Sequence, residues 1–211
     1  MERDGDIIAR GYDQVADEYA ALESTDAPWP RLRRVRAFAA HLPPGSRILD
    51  VGCGNGLPAT RELALMHEVT GVDISAEQIT RARSNVPTAT FIPGDARDVD
   101  LPAGTFDAIV ALYLIDNIAR EHYPALFRRL RELIGPDGRL LLSAEPGRDP
   151  WQQYTWLGVP MLINTVPTEE LVQLLEEAGL SVVSVESEPQ LEGGRQIEYA
   201  WIVAQIRGVG A

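Results

Sequence analysis

Three aspartates stand where short apolar runs give way to turns: Asp50 in Ile48-Leu49-Asp50-Val51, Asp73 closing Val69-Thr70-Gly71-Val72-Asp73, and Asp95 after Phe91-Ile92-Pro93-Gly94. Carboxylates so placed accept hydrogen bonds from the hydroxyl and amino groups of a polar ligand. The first is followed at once by Gly52, Gly54 and Gly56, a G-x-G-x-G turn. Glycines there permit unusual backbone angles and let a ligand lie against the main chain. The helix that follows would aim its free N–H groups at that ligand. This spacing is one residue shorter than the G-x-G-x-x-G of nicotinamide- and flavin-binding folds. The loop alone therefore marks a nucleotide-like ligand and leaves its identity open.

The elements that must position these acids alternate. Ile48, Leu49 and Val51 read as a strand buried on both faces. A helix follows through Thr60–Met66, then a second strand over 67–73, and a helix to about Asn85 with Ser75 as its cap. A third strand leads to Asp95, and Phe106–Leu114 forms a fourth. A helix over Glu121–Ile134 and the turn Gly135-Pro136-Asp137-Gly138 lead into a fifth strand, Arg139–Ala144. Strand and helix alternating on this scale predict a parallel sheet with right-handed crossovers. Ligands bind such sheets at the carboxyl ends of the strands, near the switch in strand order, which is the edge that carries the acids.

Outside this core, Ile8, Tyr12, Val15, Tyr19 and Leu22 recur at helical spacing and predict one amphipathic helix over about 4–22. A second spans Pro30–Leu42, with Leu32, Val35, Phe38 and Leu42 inward. Residues 146–167 hold Trp151, Tyr154, Trp156 and Met161 without clear periodicity and read as an insertion over the end of the sheet. Thr168 is expected to cap a helix through Ala178, and Gly179 to end it. Leu180–Glu188 and Ile197–Ile206, joined at Gly193-Gly194, read as an antiparallel hairpin.

With 211 residues, 45% of them hydrophobic, the chain can form one domain that buries roughly 70% of its unfolded surface. Its net charge is −12, and every fixed positive charge is an arginine. Nucleic-acid binding draws its affinity from cations on the backbone, so no nucleic-acid partner is expected. Cys53 is the sole cysteine, which excludes an internal disulfide and a cysteine-based metal cluster. Neither a signal peptide nor a membrane span is legible, so a cytoplasmic protein, monomer or homodimer, is expected.

ILDVGCGNG, VTGVDIS, FIPGDARDVDLP, FDAIVALYLIDNI and IGPDGRLLLS occur in an order and spacing that resemble the five motifs of the class I S-adenosylmethionine-dependent methyltransferases, particularly the small type acting on small molecules. YDQVADEYAAL is similar to the N-terminal helix that closes over the cofactor in many members. The resemblance implies a Rossmann-like, doubly wound seven-stranded sheet, mostly parallel with a C-terminal antiparallel hairpin. It divides the chain into an N-terminal helical lid (1–44), a cofactor-binding core (45–145), a substrate-side insertion (146–167) and a C-terminal helix and hairpin (168–211).

The same resemblance implies roles for single residues. S-adenosylmethionine is the implied cofactor. Gly52 and Gly54 would admit its methionine part, and Asp50 would orient the ammonium group, directly or through water. Asp73 would accept from the ribose hydroxyls, with Ile74 flanking the adenine. Asp95 would take the adenine amino group, Ala96 would offer a backbone N–H, and Leu112 its carbonyl. Tyr12 and Tyr19 share a helix face, Tyr19 toward the cofactor and Tyr12 toward the substrate.

Methyl transfer is an in-line displacement in which orientation carries much of the catalysis, and a base helps when the nucleophile bears a proton. Asp116 and then Glu145 are the candidates for that base or for a substrate anchor, with Asn117 beside the acceptor. The chain lacks the Asn/Asp-Pro-Pro-Tyr element of enzymes that methylate nucleobase amino groups and has Leu114-Ile115-Asp116-Asn117 in its place. Trp151 and Trp156 would wall a small, apolar acceptor. His41, His67 and His122 read as structural. A nicotinamide dehydrogenase, a non-methylating binding module or cyclase, and a peptide or tRNA methyltransferase are the alternatives.

Overall fold

The computed structural model describes residues 3–25, 30–192 and 194–206, with the side chains of 22–25 and 192 left aside. Its centre is a seven-stranded sheet. In chain order the strands are β1 (Arg47–Val51), β2 (Glu68–Asp73), β3 (Thr90–Pro93), β4 (Phe106–Ala111), β5 (Ile134–Ala144), and, after a separate hairpin of β6 (Gln152–Trp156) and β7 (Val159–Ile163), β8 (Leu180–Glu192) and β9 (Arg195–Ile206). The sheet runs β3-β2-β1-β4-β5-β9-β8. Its first five strands are parallel, β9 is antiparallel to β5, and β8 antiparallel to β9. The order reverses between β1 and β4, which opens a crevice above their carboxyl ends.

Alternation along the strands sends side chains into two cores. Leu49, Ile109, Leu140 and Leu142 pack under the helices α6 (Tyr123–Leu133) and α7 (Thr168–Glu177), where Phe127, Leu130, Leu171 and Leu175 are fully buried. Ile48, Val110 and Leu141 face the other way, onto Val35 and Phe38 of α3 (Pro30–Ala39) and Leu63 of α4 (Ala59–Leu63). Each such side chain contributes about 1.5–3 kcal/mol by leaving water. The helix α5 (Ala76–Asn85) covers the β2–β3 end through Ile79 and Ala82.

Several expectations are corrected. The single N-terminal helix is two, α1 (Asp4–Gln14) and α2 (Ala16–Thr25). They are bent at Val15 (φ −100°, ψ 14°), where Val15 and Ala16 both become buried; the side chain of Leu22 lies outside the description. The fourth strand stops at Ala111, because Tyr113 turns the backbone into the left-handed region (φ 56°). Asp95 lies two residues beyond the end of β3. Thr168 is the first residue of α7 and makes no capping bond; Pro167 holds the cap position with its fixed φ. Gly179 ends the helix at φ 88°, as a left-handed residue after the last turn should. The terminal hairpin is longer than the sequence suggests, and Gly193 of its turn lies outside the described residues.

The largest correction concerns residues 146–167, which contain the hairpin β6–β7. Leu157 and Gly158 form its two-residue turn, both at positive φ (48° and 84°). Such a turn matches the twist of the flanking strands. Met161 and Leu162 turn inward and pack with Ile8 of α1. Gly11 permits that approach: a Cβ there would stand 2.1 Å from the Met161 sulfur.

Candidate functional site

The glycine turn and the end of β2 build one wall of the crevice together. Gly52 (φ 72°) donates to the Val72 carbonyl at 2.8 Å, and Gly54 (φ 54°) donates to Asp73 Oδ2 at 2.8 Å. Asp73 Oδ1 accepts the Ser75 N–H at 2.9 Å, while Ser75 Oγ caps α5 by accepting from Gln78 N–H at 3.0 Å. The Asp73 carboxylate is thus fixed in direction by main-chain donors at the cavity rim. A Cβ placed on Gly54 would meet nothing within 4 Å; its bare face opens onto the cavity.

Asp50 is buried, and Asp73 is half-buried at the rim. Burial pushes each carboxyl up, to about 6. At Asp50 the Thr60 hydroxyl, donating at 2.6 Å, and the charge of Arg31 pull the other way, while Asp73 adds to the rise. At Asp73 the N–H groups of Ser75 and Gly54 oppose the rise and Asp13 adds to it. Asp50 does not line the cavity itself; it sits beneath the loop, so any effect on a ligand's ammonium passes through an intermediary or through its charge.

The cavity over this edge is lined by Gly52, Gly54, Asp73, Ile74, Asp95, Ala96 and Leu112. Asp95 is already engaged. Its carboxylate accepts from Arg97 Nε at 2.9 Å and Nη2 at 2.5 Å. Burial pushes the Asp95 acid up, but the Arg97 hydrogen bonds and charge outweigh it and leave the group below its ordinary value. The expected bond to an adenine amino group would have to share this carboxylate with Arg97.

Tyr12 and Tyr19 contact the same cavity from α1 and α2 and also line a second one, of about 440 Å³, on the far side. They pack edge to face with each other and with Trp156, at centroid distances of 5.3–5.9 Å. Asp116, Glu145 and Trp156 line the second cavity. Asp116 is buried and accepts the Glu145 N–H at 3.2 Å on each oxygen. Asn117 reaches both cavities, but its amide joins elements: it accepts from Tyr12 Oη at 2.9 Å and donates to the Leu162 carbonyl at 2.8 Å. Trp151 departs from expectation. It lines the first cavity, not the second, and its indole N–H donates to Asp4 at 3.0 Å, so it braces α1 instead of walling an acceptor.

Three residues of the site were missed. Arg31 is 7% exposed, lies 4.4 Å over the Tyr113 ring and donates to Tyr19 Oη at 3.2 Å. It shares a helix face with Val35 and Phe38 at spacings of four and three, and an arginine on an apolar stripe was the available signal. Tyr113, at its strained φ, donates its hydroxyl hydrogen to Gln190 Oε1 at 2.6 Å and lies between the two cavities. Backbone strain of this kind gathers where a site fixes a side chain. Gln78 lines the first cavity from α5, with neither polar atom of its side chain hydrogen-bonded.

Residues 25–185 match the family model described as a methyltransferase domain. The 27-O-demethylrifamycin SV methyltransferase of Amycolatopsis mediterranei is 33% identical over 147 residues, which are 66% of this chain and 51% of that protein. The chain spans about half the length of the curated relatives it matches. Among solved structures, the 4+2 cyclase SpnF superposes with a TM-score of 0.77 at 20% identity, covering 99% of this chain and 98% of that one. The 1,6-didemethyltoxoflavin-N1-methyltransferase of Burkholderia thailandensis, solved with its acceptor and S-adenosylhomocysteine, gives 0.69 at 22% identity, covering 93% and 84%. These two likenesses establish the fold. Among the described residues no helix is long and apolar enough to cross a membrane, and no group of three or more His, Cys, Asp or Glu could hold a metal ion.

Proposed function

The chain belongs to the class I S-adenosylmethionine-dependent methyltransferases, and from that premise we propose that it moves a methyl group from S-adenosylmethionine to an O, N or C atom of a small acceptor held in the second cavity. The observation that carries this reading is the Asp73 carboxylate, held by Gly54 and Ser75 N–H groups at the rim of a cavity onto which the bare face of Gly54 opens. An oriented carboxylate beside exposed backbone suits a ribose diol next to a chain that must pass close to the loop.

The residues present fit the cofactor's other groups. Arg31 is a buried cation at the inner end of the cavity and suits the carboxylate of the methionine part. Asp50, beneath the loop, favours an ammonium there through its charge. Ile74 and Ala96 line the adenine end, where Gln78 supplies an amide with free hydrogen-bonding capacity. When bound, the sulfonium supplies an electrophilic methyl carbon. The protein's part is alignment and exclusion of water: Tyr12, Tyr19 and Tyr113, shared by both cavities, define the passage through which an acceptor atom reaches that carbon. Asp116, and beside it Glu145, can take the proton an acceptor loses. A soluble, cytoplasmic setting and specialised metabolism belong to this proposal.

Calorimetry tests it. S-adenosylmethionine and S-adenosylhomocysteine should bind with one-to-one stoichiometry and NAD should not. Binding of NAD in preference to both would sink the reading.

A further inference from the structure

We infer that the Gln78 carboxamide and the Asp73 carboxylate together clamp a vicinal diol, so that the site selects ribose over a deoxyribose in its cofactor; this rests on the function proposed above. Gln78 is 1% exposed and lines the first cavity, and neither of its amide atoms has a hydrogen-bond partner among the described residues. An amide buried in that way costs free energy that an apolar side chain of the same shape would not. Local structure gives it no use. Ser75-Ala76-Glu77-Gln78 has the spacing of a capping box, in which the side chain at the fourth position reaches back to the N–H of the first. Here that N–H goes to Asp73 Oδ1 at 2.9 Å, while Ser75 Oγ takes the Gln78 N–H at 3.0 Å. Asp73 thus takes the place the amide would have filled. Gln78, Ala82 and Asn85 share the face of α5 turned to the glycine loop: Asn85 Nδ2 donates to the Asn55 carbonyl at 3.0 Å, and a Cβ on Gly56 would stand 3.5 Å from that of Ala82. On that face Gln78 is the residue that reaches the cavity, tied to Asp73 through Ser75.

The two groups are complementary to a pair of adjacent hydroxyls. An ionised carboxylate only accepts, and Asp73 already takes N–H groups from Gly54 and Ser75. A hydroxyl that donates to its remaining lone pairs still has lone pairs of its own to satisfy. The Gln78 NH2 can donate to these, and the Gln78 oxygen can accept from the neighbouring hydroxyl. A phosphate in the same place would set its charge against Asp73, and an apolar group would leave the amide unmatched. A sugar that lacks one hydroxyl does the same, leaving a buried donor or acceptor without a partner. A site built for a hydroxyl rejects the analogue without it for that reason.

The experiment uses the full chain and three probes, S-adenosylhomocysteine and its 2′-deoxy and 3′-deoxy analogues, with binding followed by calorimetry. The ribose compound should bind at least about tenfold tighter than either analogue. Gln78→Met, which keeps length and removes the amide, should weaken S-adenosylhomocysteine about tenfold and bring the three probes within a few fold of one another. The same substitution should raise the melting temperature of the ligand-free protein by a few degrees, because no buried amide is left unmatched. A side chain that merely braces α5 would show the opposite: a lower melting temperature and an unchanged ratio between the probes. Gln78→Leu repeats both readouts with a second apolar side chain. Equal binding of the three probes by the native chain, a ratio that survives both substitutions, or a melting temperature that falls in both overturns the inference and leaves the methyltransferase reading standing. Failure of the native chain to bind S-adenosylhomocysteine would remove that reading first and the inference with it.

Discussion

The hydroxyl of Tyr12 donates to the amide oxygen of Asn117 at 2.9 Å across 105 positions of chain. Asn117 in turn donates to the Leu162 carbonyl, so one amide fastens α1 to the turn after β4 and to the hairpin β6–β7. Asp4 with Trp151 and Gly11 with Met161 add to the same attachment, and Asp13 reaches α5 by accepting from Ser75 Oγ at 2.6 Å. The first helix therefore covers the proposed cofactor cavity through hydrogen bonds together with the packing of Ile8 against Met161 and Leu162. Tyr12→Phe removes one of them at about 1 kcal/mol. S-adenosylhomocysteine should then bind about fivefold more weakly by calorimetry, and α1 should become more open to limited proteolysis. Unchanged affinity would show that the helix plays no part in retention.

Asp50 and Asp73 carry a pH dependence whose sign follows from burial. Both carboxyls are raised to about 6 from an ordinary value near 3.8. A raised acid favours the folded state fully below the unfolded value, and that contribution disappears as pH climbs through the folded one. Without ligand, thermal stability should therefore fall between about pH 4 and pH 6 on account of these groups. Ligand binding should run the other way, since ribose hydroxyls and an ammonium group favour the ionised carboxylates. Affinity for S-adenosylhomocysteine should weaken below pH 6, by up to about tenfold per pH unit for each carboxylate that must ionise. Calorimetry in buffers of different ionisation enthalpy would count the protons released. Asp73→Asn should flatten this profile and cost roughly tenfold to a hundredfold in affinity at pH 7.5.

How much of this was legible follows from where each residue is buried. Strands covered on both faces are mostly apolar, so Ile48–Val51 and Phe106–Ala111 announce themselves, and Asp50 in β1 with Asp73 at the end of β2 marks the ligand edge. The hairpin β6–β7 is mostly exposed, burying Met161 and Leu162, and its turn places a leucine in the left-handed region that a reader expects for glycine or asparagine. Neither its pattern nor its punctuation is distinctive. Arg31 was hidden because an arginine on a helix normally faces solvent. The Asp95–Arg97 pairing is not legible in the sequence because Arg97 lies two residues on in a loop, where side-chain direction has no period to read. Trp151 could be placed in the right segment but not on the right side of Tyr12, because only the packed hairpin decides that.

The Asp95–Arg97 pair separates two roles that the sequence merged. If the carboxylate serves the adenine end only when shared with the guanidinium, Arg97→Met should loosen that end, and S-adenosylhomocysteine should bind a few times more weakly. If Arg97 competes with the ligand, the same substitution should tighten binding, because a half-buried carboxylate left without its cation seeks another donor. The direct bonds of 2.5–3.1 Å to both oxygens favour competition. We expect tighter binding for Arg97→Met and about tenfold weaker binding for Asp95→Ala. Adenosine alone should report the same order, as it probes that end without the methionine chain.

Gly11 gives the most local test of how α1 is seated. Its φ is not in the left-handed region, and alanine is the better helix former by about 1 kcal/mol, so in an isolated helix Gly11→Ala would stabilise. In this fold the new Cβ would stand 2.1 Å from the sulfur of Met161, a side chain with no solvent exposure. Overpacking of that kind costs about 1–3 kcal/mol, enough to outweigh the propensity gain. Gly11→Ala should lower the melting temperature by a few degrees and weaken S-adenosylhomocysteine binding together with it. Met161→Ala is itself destabilising by about 2–5 kcal/mol, but in that background Gly11→Ala should cost little, so the coupling in a double-mutant cycle should exceed 0.5 kcal/mol. A melting temperature that rises with the single substitution would mean that α1 does not rest on the hairpin in solution.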